Sequence, residues 1–97
     1  MTTPDIPLTS TLRVADQVLT RRAAGETVLM NLGNEQYYSL EGPGSSLWEL
    51  VENKATFGGA MSSLLDEYDV EHDELLRDMS DLLHDLSANG LVLIDPA

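Results

Sequence analysis

Residues 36–51 read Gln36-Tyr37-Tyr38-Ser39-Leu40-Glu41-Gly42-Pro43-Gly44-Ser45-Ser46-Leu47-Trp48-Glu49-Leu50-Val51, and within them the apolar spacing changes from that of a strand to that of a helix. Successive side chains of a strand point to opposite faces, so the adjacent Tyr37 and Tyr38 must separate, and one of them lies outside the core. Past Leu40 the apolar residues recur at helical spacing, and Leu47, Trp48, Leu50 and Val51 form a buried side. Pro43 suits the first turn of that helix, where its missing N–H is no loss, and Ser46 with Glu49 matches a capping box.

Toward the N-terminus, short β-favouring runs alternate with turn residues, which predicts an antiparallel meander. Its strands are expected at about Asp16–Arg22, Thr27–Leu32 and Gln36–Leu40, with turns at Ala23-Ala24-Gly25 and Gly33-Asn34. On the second strand Val28, Met30 and Leu32 share one face, and Leu29 and Asn31 the other.

Toward the C-terminus, a second helix is expected from Thr56, a plausible N-cap, to Tyr68, burying Met61, Leu64, Leu65 and Tyr68, although Gly58 and Gly59 weaken its first turn. A third and longer helix starts near His72, with Asp73 and Glu74 at the positive end of its dipole, and stops at Asn89-Gly90, a left-handed cap. Leu91–Ile94 forms a brief final strand. Residues 14–94 are thus expected to form one α+β domain: a three-stranded antiparallel sheet, three helices and a short final strand. Residues 1–13, which hold two of the four prolines, are expected to be a flexible arm, and residues 95–97 a tail.

The third helix has three distinct surfaces. Leu75, Met79, Leu82 and Leu86 fall in one stripe, which predicts the core face. Glu74, Asp78, Asp81 and Asp85 form one flank, either a solvated face or a docking surface for a partner enzyme. Leu76, Ser80, Leu83 and Ser87 form the other flank, with Asp73 at its margin. That flank widens the apolar surface, and either another element of the domain or a partner covers it.

Composition narrows the function classes. The chain has 97 residues, 42% of them hydrophobic, which fits one packed core rather than two. It lacks cysteine, which removes disulfides, thiolate nucleophiles and cysteine-bound metal. The two histidines, His72 and His84, lie twelve residues apart on one expected helix and cannot share a metal there. No metal site, cofactor or catalytic constellation is expected. No run reaches the ~20 apolar residues of a membrane span, and no secretory signal opens the chain, so a cytoplasmic location away from membranes is expected.

Seventeen acidic residues against five basic ones give a net charge of -12, which repels phosphate and argues against a winged-helix DNA binder. An acidic acyl carrier is the other rival. Ser46-Leu47 and Ser63-Leu64 lack the acidic neighbour that the modified serine of such carriers requires.

The stretch 37–50 quoted above, together with Leu64-Leu65-Asp66-Glu67-Tyr68-Asp69-Val70 and Leu86-Ser87-Ala88-Asn89-Gly90-Leu91, resembles the PqqD-like family of peptide-recognition domains. The resemblance spans about Val14 to Leu93 and is nearest to the stand-alone members of lasso-peptide pathways. One departure is Glu71-His72, where related domains commonly start this helix with a proline after an acidic residue.

The resemblance implies a winged helix-turn-helix-like fold and a non-catalytic adaptor. A precursor's leader peptide would add as an antiparallel strand to Gln36, Tyr37, Tyr38, Ser39 and Leu40 and lie beside the third helix. Leu76 and Leu83, with Ser80, are the expected pocket there, and Asp73 and Arg77 its charged rim. The partner enzyme would be a separate cysteine protease, followed by a ring-closing enzyme, or another modifying enzyme if only the wider family applies. An open third strand can also recruit a second copy, so oligomeric state stays open.

Overall fold

The computed structural model describes residues 6–96. Its elements are β1 (Thr11–Val14), β2 (Val18–Ala23), β3 (Glu26–Asn31), β4 (Gln36–Glu41), α1 (Pro43–Glu52), α2 (Phe57–Glu67), α3 (His72–Ala88) and β5 (Val92–Asp95). Strands β2, β3 and β4 form an antiparallel meander in that order, and β1 pairs with β5 in a separate two-stranded ribbon. The α+β architecture and its winged-helix-like order follow the sequence expectation, with β1 as the added strand.

The turns account for the meander. Ala24 and Gly25 both take positive φ, the two-residue hairpin geometry whose twist matches that of the flanking strands. Between β3 and β4, the side-chain carbonyl of Asn31 accepts from the backbone N–H groups of Gly33 (2.8 Å) and Asn34 (3.3 Å). That side chain braces the turn alongside the backbone bond from Glu35 N to Asn31 O at 2.8 Å.

Alternation then sorts the sheet. Thr27, Leu29 and Asn31 of β3 are buried, as is Leu40 of β4, and this inner face carries the helices. Trp48 of α1 is fully buried against it and donates its indole N–H to Thr20 Oγ1 at 3.1 Å, so the largest side chain of the core leaves no polar atom unpaired. Thr27 meets Ser45 of α1 hydroxyl to hydroxyl. Leu19, Met30 and Tyr37 turn to the outer face, where Tyr37 is 67% exposed, while Tyr38 packs partly buried against the core.

The helix boundaries show which local signals prevailed. Pro43 occupies the start of α1 as its missing donor suggested, but the capping box does not form. Ser46 Oγ instead shares a 2.8 Å hydrogen bond with the Tyr68 hydroxyl, which joins α1 to the end of α2. Thr56 caps α2 by accepting from Gly59 N at 3.1 Å. Gly90, at φ 70°, ends α3 in the left-handed conformation.

The described part of the arm departs from expectation. Ile6 and Leu12 are buried, Phe57 N donates to Ser10 O, and Gly58 N donates to Leu8 O at 2.8 Å. A Cβ on Gly58 would sit 3.1 Å from that same oxygen. The glycine that costs α2 helix propensity is thus the residue that lets the N-terminal segment lie against it. Only residues 1–5 of the expected arm lie outside the described residues.

The tail boundary shifts as well. Asp95 belongs to β5, pairs in register with Thr11, and its carboxylate takes the Arg13 guanidinium at 2.6 Å. That contact and the attraction behind it hold the Arg13 pKa above its ordinary value.

Asn31 also reaches across the fold. Its amide donates to the carbonyls of Asn89 (3.1 Å) and Gly90 (3.2 Å), tying the β3–β4 turn to the C-terminus of α3. Asn31 is only 7% exposed, so removing its amide takes four hydrogen bonds from a buried position. Asn31→Ala is expected to lower unfolding free energy by about 1–3 kcal/mol, read as a lower urea midpoint at unchanged slope. A wild-type midpoint would show that the link carries no weight.

Candidate functional site

Two sheet edges are open in the meander, and they differ in what lies beside them. The free edge of β4 borders a groove of about 400 Å³ whose far wall is α3. Tyr38, Ser39, Leu40 and Glu41 of β4 form one side, Glu74, Leu75, Asp78, Met79 and Leu82 of α3 the other. Pro43 and Gly44 at the start of α1 and Val70 complete the lining. A Cβ on Gly44 would come within 3.2 Å of Leu82 Cδ2. Glycine at that position lets α1 and α3 approach closely enough to form the groove floor.

The floor is apolar and its rim is acidic. Leu40, Leu75 and Met79 are largely buried beneath it, and Leu82 is partly buried. Glu41, Glu74 and Asp78 are the charged residues lining the groove, with no basic residue among them. Toward the other end, Tyr38 donates a long 3.4 Å hydrogen bond to Asp85. Burial raises the Tyr38 pKa above its ordinary 10.0, and the negative charge of Asp85 and the hydrogen bond to it act in the same direction.

The groove takes in part of the strand expected from the sequence, together with the flank of α3 opposite the expected one. Tyr38, Ser39 and Leu40 line the groove, whereas Gln36 is exposed at the start of β4 and Tyr37 looks to the outer face. Leu83 is 0% exposed and belongs to the core, so it cannot form part of an accessible pocket. Leu76 is partly buried against the core, Ser80 is partly buried, and Asp73 and Arg77 are exposed; none of the four lines the groove.

The physical reason lies in the helical period. The buried residues of α3 are Leu75, Met79, Leu83 and Leu86, an arc centred on Met79. Leu76 and Leu82 each stand about 60° from Met79, on opposite sides. Spacing alone makes them equivalent margins, and the approach of Gly44 singles out Leu82. The acidic flank, Glu74 and Asp78 in particular, therefore faces the groove rather than open solvent alone. The groove residues missed by sequence reasoning carried one usable signal, the Pro43-Gly44 pair that permits close approach.

The family model of coenzyme PQQ synthesis protein D matches residues 26–92, which hold the meander from β3 onward, all three helices and the start of β5. The chain belongs to the PqqD family. Two solved structures share its fold at a TM-score of 0.75. One is TbiB1 in complex with the TbiA(beta) leader peptide, 28% identical, covering 81% of this chain and 93% of the other. The second is a lasso peptide synthetase B1 complexed with the leader peptide, 21% identical, covering 84% and 96%. No curated protein matches the chain.

Within this PqqD-family domain, among the described residues, no cluster of His, Asp and Glu is arranged to hold a metal ion, and no helix is long and apolar enough to cross a membrane. The arrangement offers contacts: unpaired main-chain groups along β4, an apolar floor and a carboxylate rim.

Tyr38 provides a pH test of the groove wall. A phenol pKa raised on folding contributes stability that is fully present below its ordinary value and is lost as pH rises through the raised one. Asp85→Asn removes one cause of the rise and should move the Tyr38 transition toward lower pH. Absorbance titration at alkaline pH, with Tyr38→Phe to assign the transition, measures this; identical curves for wild type and Asp85→Asn would sever the contact.

Proposed function

We propose that this protein is a non-catalytic adaptor that binds the leader segment of a ribosomally made precursor peptide, of lasso-peptide type, and presents it to a separate enzyme. The observation that carries the reading is the free β4 edge opening onto an apolar groove. Membership of the PqqD family and the shared fold with two leader-peptide complexes support it.

Strand addition explains why such a site needs no catalytic group. Main-chain hydrogen bonds along β4 supply affinity that tolerates sequence variation, and side-chain pockets supply selectivity. A leader that orders on binding loses about 2–5 kcal/mol of its gross interaction energy, so anchors over Leu40, Leu75, Met79 and Leu82 must supply the surplus. Once held, the precursor meets its enzyme at raised effective concentration, and the adaptor gains rate for that enzyme without chemistry of its own. The enzyme is a separate protease, followed by a ring-closing enzyme, and the setting is the cytoplasm.

The two margins of α3 give a direct test. A fluorescent leader peptide from the precursor encoded nearest this chain is titrated with wild type, Leu82→Ala and Leu76→Ala, with circular dichroism as a check on folding. Leu82→Ala is expected to weaken binding about tenfold, as loss of an anchor does. Leu76→Ala should leave it within about twofold. A reversed order would move the site to the other flank, and no saturable binding by wild type would reject the pairing with that leader. Mass spectrometry of the precursor incubated with the adaptor alone should show no change.

A further inference from the structure

The groove is more acidic than an apolar anchor requires. Glu41 closes one end of its strand side, Glu74 and Asp78 stand along α3, and Asp85 lies against Tyr38 at the other end. Glu74 and Asp78 are four residues apart on one helix face, where like charges cost stability by a few tenths of a kcal/mol unless something compensates them. The protein spends its own cations elsewhere. Arg13 pairs with Asp95, and Arg22 with Glu49 and Glu52. Arg21 lies on the outer face of the sheet, Lys54 in the turn after α1, and Arg77 on the exposed side of α3. The negative potential of the groove is therefore uncompensated by any of these five residues.

Strand geometry fixes where a compensating charge must sit. In a chain laid along β4, alternate side chains turn toward α3, about 7 Å apart. Along α3, Glu74 and Asp78 are separated by about 6 Å of rise, and Asp78 and Asp85 by about 10 Å. One inward side chain can therefore reach the floor at Leu40 and Met79 while the next, or the next but one, meets a carboxylate. A lysine or arginine suits that second place, because its aliphatic stem covers Leu82 while its charged end stays at the wet rim.

We infer that the groove selects a cationic leader segment: an apolar residue on the floor, and a Lys or Arg two or four positions away facing the Asp78–Glu74 wall. The inference rests on the leader-binding function proposed above and specifies the chemistry of the segment that docks. Charge complementarity identifies this occupant over a second copy of the chain, which at a net charge of -12 meets repulsion here.

The test uses the full-length protein and the fluorescein-labelled leader from the nearest precursor, in a series that replaces each Lys or Arg in turn by Gln and by Glu. One basic position is expected at which Glu weakens binding about tenfold and Gln less, with both losses shrinking as salt rises. Asp78→Lys should bind the Glu-substituted peptide better than wild type does, and the unmodified peptide worse. Asp66→Asn, on the exposed side of α2, should leave both unchanged. If Asp78→Lys fails to fold, Asp78→Asn should still weaken binding of the unmodified peptide severalfold. Tight wild-type binding that ignores every charge replacement and is flat in salt overturns the charge selection while leaving leader binding intact. Tight binding of a leader with no Lys or Arg overturns it as well. No binding of the leader by wild type overturns both.

Discussion

The four hydrogen bonds of the Asn31 side chain tie the turn before β4 to the end of α3, the two elements that wall the groove. The carbonyl oxygen fixes the turn that launches β4, and the amide nitrogen holds the carbonyls that end α3. Strand and helix come from opposite halves of the chain, so nothing in the local sequence of either positions it against the other. A buried amide with both ends satisfied links them, because an arrangement that breaks these bonds leaves the buried Asn31 side chain without partners. The close packing of Gly90, which leaves room for no side chain beside the Asn31 amide, belongs to the same constraint.

The remaining packing builds on that link. Trp48, Leu47 and Val51 carry α1 onto the inner face of the sheet, and the Ser46–Tyr68 hydrogen bond turns α2 back against it. The N-terminal segment then closes the helical side, with β1 pairing to β5 and the Leu8 backbone lying on Gly58. One edge of the meander remains open toward α3. An open edge is a template for any extended chain, and carboxylates around it raise the electrostatic cost for acidic surfaces while lowering it for cationic ones. The edge and the charge around it thus act together, the first supplying affinity for backbone and the second restricting which backbone approaches.

Much of this was legible in the sequence because the signals are local. The change of period at Leu40, the hairpin residues Ala24-Gly25, the Thr56 cap and the Asn89-Gly90 stop each depend on a few adjacent residues, and each appears where expected. The failures involve partners distant in the chain. Ser46 and Glu49 satisfy the pattern of a capping box, yet the Ser46 hydroxyl is taken by Tyr68, twenty-two residues on. Thr11–Val14 carries no turn or alternation signal strong enough to mark a strand; it becomes one because β5 offers it a partner across the whole domain.

The sequence by itself determined the order and type of the elements from β2 onward, the opposite facing of Tyr37 and Tyr38, and the presence of an acidic and an apolar flank on α3. Only the tertiary structure decided which flank meets the groove. A helix repeats every 3.6 residues, so Leu76 and Leu82 are equidistant from the centre of the buried arc, and no pattern within the helix distinguishes them. The close approach of Gly44, a residue of another helix, breaks that equivalence: it puts Leu82 and the acidic flank in the groove, while Leu83 goes to the core.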